Sequence, residues 1–233
     1  MKRQKGLTLI ELMLSLTIGL IVMTAAISLF TLSKQTATLQ RSHSKMQNES
    51  EFAMRLIVQD LKLAGFSVDN KNDFDKRPFN WFYTREGGSS TNNDSIGISY
   101  TSGESGITRD CAGNYVSTGG TILNSYSVSS NTLQCNGVDI VDNVESFQIL
   151  YGIDYDGVGG PDAYVERDTA AIQFVTKKAK PIAVRISILV SSDIKYNNIS
   201  PKSIYVSNEA PLYFDDKKMH LLTERSVIMY NMM

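Results

Sequence analysis

Residues 6–32 of the chain read GLTLIELMLSLTIGLIVMTAAISLFTL, a long apolar stretch near the N-terminus. A short basic head (Lys2, Arg3 and Lys5) precedes it, and Glu11 is its one charged residue. About 20 consecutive apolar residues are enough to cross a bilayer as a helix, so residues 7–32 predict a membrane-spanning helix. The basic head predicts that the N-terminus lies in the cytoplasm, by the positive-inside rule.

Glu11 is the residue of this stretch that needs an explanation. A charged side chain inside a spanning helix costs roughly 2.5–3.5 kcal/mol on insertion scales, so it usually has a partner and a function. An ordinary membrane anchor explains the apolar run but neither Gly6 nor Glu11. A cleaved secretory signal is the other alternative. However, the 26 residues from Leu7 to Leu32 exceed a typical signal core, and no small-x-small cleavage site clearly ends them.

Residues Gly6–Leu20, GLTLIELMLSLTIGL, resemble the leader and helix start of type IV prepilins and type II secretion pseudopilins. The resemblance implies that a prepilin peptidase cuts between Gly6 and Leu7 and that the new amine of Leu7 is methylated. It also implies that Glu11, the fifth residue after the cut, acts in assembly and sets the register between subunits. The family usually has phenylalanine at the first mature position, where this chain has Leu7.

The second half of the helix is predicted by a different pattern. Residues 33–51 are polar and contain no proline or glycine, and apolar residues then recur every three or four positions. Gly65 can adopt a positive φ and end the helix. One helix is therefore expected from Leu7 to Ala64, with 33–65 as its amphipathic half. The buried stripe is expected to consist of Ala53, Ile57, Leu61 and Ala64, with Phe52, Leu56 and Leu63 beside it.

After Gly65 the sequence changes to short β-branched and aromatic runs between turn residues. Few helical patterns interrupt these runs, so the sheet is expected to be mainly antiparallel. The expected fold class is α+β, and the resemblance to prepilins implies a type IV pilin-like fold with one long N-terminal helix packed on that sheet. Residues 1–6 form the leader and 66–233 one periplasmic, β-rich domain. The predicted strands are Ser95–Thr101, Thr121–Ser129, Val144–Asp154, Ile182–Ser191 and Ser226–Tyr230, with Pro78–Tyr83 expected in the core or on helix-facing sheet.

Cys111 and Cys135 are the only cysteines, and the predicted topology places both outside the cytoplasmic membrane. An oxidising compartment favours a disulfide between them, while two free structural thiols are the alternative. In the chain-entropy model, a bond closing a loop of this length contributes on the order of 3.5 kcal/mol.

A weak calcium site is suggested by Asp154, Asp156 and Asp162, which alternate with glycines as in a calcium loop. The pattern is incomplete, because Val158 and Val165 stand where such a loop has an acidic ligand and its bidentate glutamate. An Asp/Gly turn between two strands is the alternative. No other cofactor is expected. His43 and His220 have no cysteine or carboxylate at metal-ligand spacing, so both are expected to be solvated.

The composition argues against an enzyme and against a dedicated nucleic-acid-binding protein. Net charge is −1, and two cysteines and two histidines supply no catalytic constellation. Without the leader bases and Glu11, the remaining 20 basic and 23 acidic residues give a balance of −3, which leaves no electrostatic footprint for nucleic acid. A short basic run, Lys177, Lys178 and Lys180, leaves DNA binding as a weak possibility.

Four segments of the β-rich half are similar, in this order, to the PilW group of minor pilins. They are DLKLAGF (Asp60–Phe66), DCAG (Asp110–Gly113), YGID (Tyr151–Asp154) and AVRISILV (Ala183–Val190). The resemblance implies a low-abundance subunit that helps to start a type IV pilus and sits at or near its tip. The fibre is one that serves twitching motility, adhesion and DNA uptake.

The implied partners are other minor pilins, the major pilin, the prepilin peptidase/methyltransferase and the inner-membrane assembly platform. The implied location is the inner membrane, with a single pass and a periplasmic C-terminal domain, and then the pilus at the cell surface. Two alternatives stay open: a minor pseudopilin of a type II secretion system, and a membrane-anchored adhesin or DNA-binding module.

Overall fold

The computed structural model of the chain describes residues 8–66, 93–103, 108–176, 179–207 and 210–232. It divides at Ser44/Lys45 into two compact units, called here the N-terminal unit and the folded unit. Several predicted features lie outside the described residues: the cleavage site at Gly6 and Leu7, the segment Pro78–Tyr83, and Lys177 and Lys178 of the basic run.

The N-terminal unit contains the first part of helix α1 (Leu9–Leu63). Thr8 precedes the helix, and its hydroxyl accepts a hydrogen bond of 3.4 Å from the N–H of Glu11. Thr-x-x-Glu is the spacing of a capping box, in which the first side chain satisfies a backbone donor at the helix start. All residues from Thr8 to Ala37 are exposed.

The folded unit contains the end of α1, a second helix and a series of strands. The elements after α1 are β1 (Ser95–Thr101), β2 (Thr121–Ser129), β3 (Thr132–Cys135), β4 (Val138–Val141), β5 (Val144–Asp154), β6 (Ala163–Val165), α2 (Arg167–Val175), β7 (Lys180–Lys195), β8 (Lys202–Ile204), β9 (Leu212–Phe214) and β10 (Lys218–Ile228).

The strands form two four-stranded sheets and one small hairpin. The first sheet is a meander with the order β1-β2-β3-β4, the second has the order β10-β7-β5-β6, and β8 pairs with β9. Every pair of these described strands is antiparallel. The predicted class, α+β with a long N-terminal helix packed on antiparallel sheet, is confirmed.

Inside the folded unit, one face of α1 packs into the core between the sheets. The predicted stripe is confirmed: Ala53, Ile57, Leu61 and Ala64 are all fully buried. Placing Phe52 beside the stripe was wrong, because its side chain is 47% exposed. At 3.6 residues per turn, position 52 lies roughly 135° from the middle of the buried face.

Gly65 ends α1 as predicted, with φ of 74°. Its N–H donates to the carbonyl of Ser99 (3.1 Å), and the N–H of Thr101 donates to the carbonyl of Phe66 (3.0 Å). The residues that follow the helix are therefore tied to β1, which fixes the last turn of α1 against the first sheet.

Most of the predicted strands are present, but the shorter elements were missed. The first three have the predicted bounds, and Ile182–Ser191 lies inside the longer β7. The last prediction, Ser226–Tyr230, was wrong in its bounds, because β10 ends at Ile228 and Tyr230 begins a 3-10 helix. Helix α2 was missed because it buries only Ala170 and Phe174, too short a stripe to read as a helix.

The predicted disulfide between Cys111 and Cys135 is present, with Cα atoms 6.1 Å apart. It joins the segment before β2 to the end of β3. Asp110 shapes the turn at Cys111, because its carboxylate accepts hydrogen bonds from the N–H groups of Ala112 (3.0 Å) and Asn114 (2.8 Å). Its other oxygen accepts from the Asn136 amide (3.3 Å), beside the second cysteine. The disulfide between Cys111 and Cys135 thus holds a polar loop that buries little apolar surface of its own.

Candidate functional site

The part of α1 in the N-terminal unit is exposed, and its composition suits an apolar environment. In the described part of the chain, α1 is the one helix long and apolar enough to cross a membrane. No charged residue occurs between Glu11 and Lys34. Five of its hydroxyl groups are satisfied within the helix, because each of the five donates to a backbone carbonyl three or four residues earlier, as lipid or a bundle of helices requires. These donors are Ser15, Thr17, Thr24, Ser28 and Thr31.

Glu11 lies in the first turn of this helix and is exposed. The backbone N–H of Glu11 donates to the Thr8 hydroxyl, and the backbone carbonyl of Glu11 accepts from the Ser15 hydroxyl (2.7 Å). Among the described residues, nothing pairs with its carboxylate. A negative charge is favoured at a helix N-terminus by the helix dipole, so the position suits a carboxylate. The capping residue Thr8 was not identified from sequence, although Thr-x-x-Glu before an apolar run is a recognisable signal.

A buried polar network fixes the end of α1 in the folded unit. Asp60 is 7% exposed, and its carboxylate accepts hydrogen bonds from the hydroxyls of Tyr100 (3.0 Å) and Tyr126 (2.5 Å) and from the amide of Asn124 (2.7 Å). Asn124 in turn accepts from the N–H of Cys111 (3.0 Å). The helix is thereby connected through β1 and β2 to the disulfide loop.

Burial dominates the electrostatics of this network. It raises the pKa of the Asp60 carboxyl, while the hydrogen bonds from Tyr126, Asn124 and Tyr100 oppose the rise. Burial, and then the charge of Asp60, also raise the pKa of Tyr100 and Tyr126, so both remain donors. Sequence reasoning identifies Asp60 only as the first residue of DLKLAGF and misses its buried contacts. The available signal is a carboxylate at a position that continues the buried face of an amphipathic helix.

Charged residues tie the same stretch of α1 to the second sheet. Lys45 pairs with Asp193 of β7, and Arg225 of β10 donates to Glu51 at 3.2 Å. All four side chains are 41% exposed or more. Such exposed pairs contribute about 0–1 kcal/mol each to the free energy of unfolding. They therefore favour one orientation of the helix but add little to stability.

The three aspartates suggested as a calcium site do come together. The carboxylate oxygens of Asp154, Asp156 and Asp162 lie within 4.8 Å of one another. Each also accepts a backbone hydrogen bond from the intervening turn, from the N–H groups of Gly157 (2.7 Å), Val158 (2.9 Å) and Tyr155 (2.8 Å), respectively. These bonds are those of the Asp/Gly turn, and calcium binding stays a prediction.

The prediction that His220 is solvated was wrong, whereas His43 is exposed. The imidazole of His220 is 0% exposed, lies against the ring of Phe214 with centroids 4.0 Å apart, and has Nε2 3.3 Å from Asp216 Oδ2. Burial lowers the pKa of His220, and the nearby carboxylate of Asp216 opposes the change. Contacts across the β9–β10 turn produce this burial, and spacing along the sequence does not reveal them.

Two parts of the chain match known family models. Residues 114–231 match the family model described as type IV pilus-assembly protein W, and residues 1–27 match a prokaryotic N-terminal methylation motif. Among solved structures, the type IV-like pilin TTHA1219 from Thermus thermophilus is similar at 14% identity and a TM-score of 0.47, over 81% of this chain and 98% of that one. No curated protein matches the chain.

The Asp60 network generates the first testable prediction. Asp60→Ala leaves three buried donors without their acceptor, at about 1–3 kcal/mol for each donor that finds no substitute. We expect the free energy of unfolding to fall by on the order of 3 kcal/mol, measured by urea denaturation of the detergent-solubilised protein and followed by circular dichroism.

Arg55→Ala is the matched control, because Arg55 lies on the exposed side of the same helix. An exposed substitution of this kind is expected to change stability by no more than about 0.5 kcal/mol. Equal effects of the two variants would contradict an anchoring role for Asp60.

Proposed function

Because the chain belongs to the type IV pilus-assembly protein W family, we propose that it is a minor pilin that helps to initiate a type IV pilus and stays at or near its tip. The family and the N-terminal methylation motif identify a type IV pilin-like protein that takes part in pilus assembly. The motif implies processing by a prepilin peptidase and assembly with other pilins.

The observation that carries the proposal is the position of the family match. It runs from residue 114 to 231 and so covers the β-rich domain from β2 to β10. An apolar helix with a methylation motif is common to pilins and pseudopilins, so the helix cannot separate a pilus from a type II secretion system. The match of the domain favours the pilus. No observation on the described residues favours an adhesin or DNA-binding module over it.

The proposed mechanism begins in the inner membrane. Residues 7–32 cross the bilayer, the N-terminus faces the cytoplasm, and the β-rich domain lies in the periplasm. The prepilin peptidase/methyltransferase removes residues 1–6 and methylates the amine of Leu7. The assembly platform then moves the helix from lipid into a bundle with the helices of other minor pilins and the major pilin.

Glu11 guides this transfer in the proposal. A carboxylate and an amine that are each unpaired in an apolar medium are costly, and pairing them removes much of that cost. An entering subunit brings the carboxylate of Glu11 to the amine of its neighbour, which sets the axial register. A subunit that enters first has no earlier neighbour, so its own Glu11 matters less than that of a shaft subunit. A minor pilin at the tip therefore tolerates loss of Glu11 better than the major pilin does.

Gly6→Val tests whether the leader is processed. A β-branched side chain at the cleavage site is expected to prevent cutting, so Lys2, Arg3 and Lys5 remain on the helix and hold it in the membrane. We expect the uncut form on immunoblots, no capture of partner pilins and a loss of piliation if the subunit is required for initiation.

Gly19→Val is the matched control. It makes the same substitution in the apolar helix, where an added side chain meets no atom within 4 Å. Normal processing of Gly19→Val with blocked processing of Gly6→Val supports the proposal. Normal partner capture and piliation by uncut Gly6→Val would exclude a prepilin mechanism.

Glu11→Ala tests the assembly role of the carboxylate. Membrane insertion, leader removal and the folded domain are expected to remain intact, since Glu11 lies in the first turn of α1 and is not part of the folded unit. We expect a several-fold loss of co-purified partner pilins, measured by affinity capture from detergent extracts. Glu51→Ala removes a carboxylate from the same helix, where it forms only an exposed ion pair, and is expected to capture partners normally. Equal capture by wild type and Glu11→Ala would argue against the register mechanism.

A further inference from the structure

Three side chains converge at the second sheet, next to the β8–β9 hairpin. Glu145 comes from β5, Asp216 from the turn before β10, and His220 from β10. Their ligand atoms, two carboxylate oxygens and one imidazole nitrogen, all lie within 4.8 Å of one another. This group is separate from the Asp154–Asp162 turn and from the N-terminal helix.

Two irregularities in the sheet bring these side chains together. The register between β10 and β7 shifts between Lys218 and His220, and the register between β5 and β7 shifts between Val144 and Ser146. Bulges of this kind re-aim side chains and are common beside functional sites. Ser191 of β7 lies between the two strands: it is the Cα partner of His220, and its hydroxyl donates to Glu145 at 2.7 Å.

His220 is the member of the group whose ring nitrogens are least well hydrogen-bonded. Its side chain is 0% exposed, and neither ring nitrogen makes a hydrogen bond of full geometry within the described part of the chain. Nε2 lies 3.3 Å from Oδ2 of Asp216, close enough for charge interaction. A buried polar group is normally hydrogen-bonded, so two buried nitrogens that make no well-formed hydrogen bond leave a place for a ligand.

The two carboxylates are held by neighbouring groups. Oδ1 of Asp216 accepts from the N–H of Lys218 (2.9 Å), which leaves Oδ2 directed at His220. Oε1 of Glu145 accepts from Ser191. Hydrogen bonds that orient the ligands are typical of protein metal sites. The contact between the rings of Phe214 and His220 limits rotation of the imidazole.

We propose that Glu145, Asp216 and His220 bind a divalent transition metal ion of the zinc class. An imidazole with two carboxylates suits zinc, whereas calcium and magnesium prefer oxygen ligands alone. Three protein ligands leave a fourth position for water. Lys218 is the local competitor, because its ammonium lies 3.9 Å from Oε1 of Glu145; its side chain is 24% exposed, so it has a route to solvent when the ion binds.

The bound ion joins three parts of the folded unit: β5, β10 and the turn that leads from the β8–β9 hairpin. Metal binding is therefore expected to stabilise the hairpin region on the sheet. This property is independent of leader processing and of Glu11, and it concerns the domain rather than the assembly helix.

The test is a metal titration of the full chain, solubilised in detergent, carrying an affinity tag without histidine and stripped with chelator. Calorimetry with zinc chloride is expected to give one site per chain, with calcium and magnesium chloride giving much weaker binding. His220→Asn and Asp216→Asn should each weaken zinc binding by at least about tenfold. Zinc should also raise the thermal unfolding midpoint of wild type but not of these variants.

His43→Asn is the matched control, because His43 is the chain's other histidine and is exposed; it should bind zinc like wild type. Glu145→Gln provides a decision if His220→Asn fails to fold, since Glu145 is at the edge of the group and 20% exposed. The proposal is overturned if the wild type binds no zinc. It is also overturned if His220→Asn and Asp216→Asn bind zinc like wild type, with Glu145→Gln replacing either variant that does not fold. Loss of zinc binding in Asp154→Asn, but not in these variants, would overturn it as well.

Discussion

The apolar first half of α1 sets the main physical constraint on this protein, because so much apolar surface is costly to leave in water. Between Glu11 and Lys34 the helix carries no charge, and five of its hydroxyls donate to its own backbone. Nothing in the described part of the N-terminal unit buries this surface, which suits lipid or a bundle of helices of the same kind. In the proposed function, a segment that suits both surroundings passes from one to the other as the subunit leaves the membrane and joins the fibre.

The folded unit has to hold its part of α1 in one orientation, and apolar packing alone does not specify it. Asp60 fixes the orientation of the helix, because its carboxylate accepts hydrogen bonds from three donors on two neighbouring strands. Such a network stabilises the fold only when every member is satisfied, and a partial network costs more than an apolar contact. Asn124 extends it to Cys111, so the disulfide loop and the helix share one set of contacts.

The sequence predicted the elements with strong local patterns. These elements are the long apolar helix, the stripe from Ala53 to Ala64, the glycine that ends α1, the long strands and the disulfide, and they follow from periodicity, turn residues or compartment. Strands of three or four residues, such as β3 and β6, carry no such pattern. Phe52 was misplaced because the stripe was drawn too wide, and its true centre is set by Met54 and Ser50 as well.

The polar sites were less accessible to sequence reasoning. The Asp154–Asp162 turn was found because its residues are close in sequence. His220 was predicted to be solvated because no cysteine or carboxylate was identified at metal-ligand spacing. Asp216 lies only four residues before it, whereas Glu145 is distant along the chain and the register shifts beside these residues leave no sequence signal. Asp60 is bonded to residues 40 to 66 positions away. Partners at such separations are established by folding, so spacing does not predict them.

Mass spectrometry of the N-terminal peptide of this chain, in pili sheared from cells and purified, tests the proposed function. The protein is expected in the fibre fraction at low abundance, with N-methylated Leu7 as its first residue. An unprocessed Met1 terminus, a terminus beyond Leu32, or absence of the protein from fibres that assemble normally without it would exclude the proposed function.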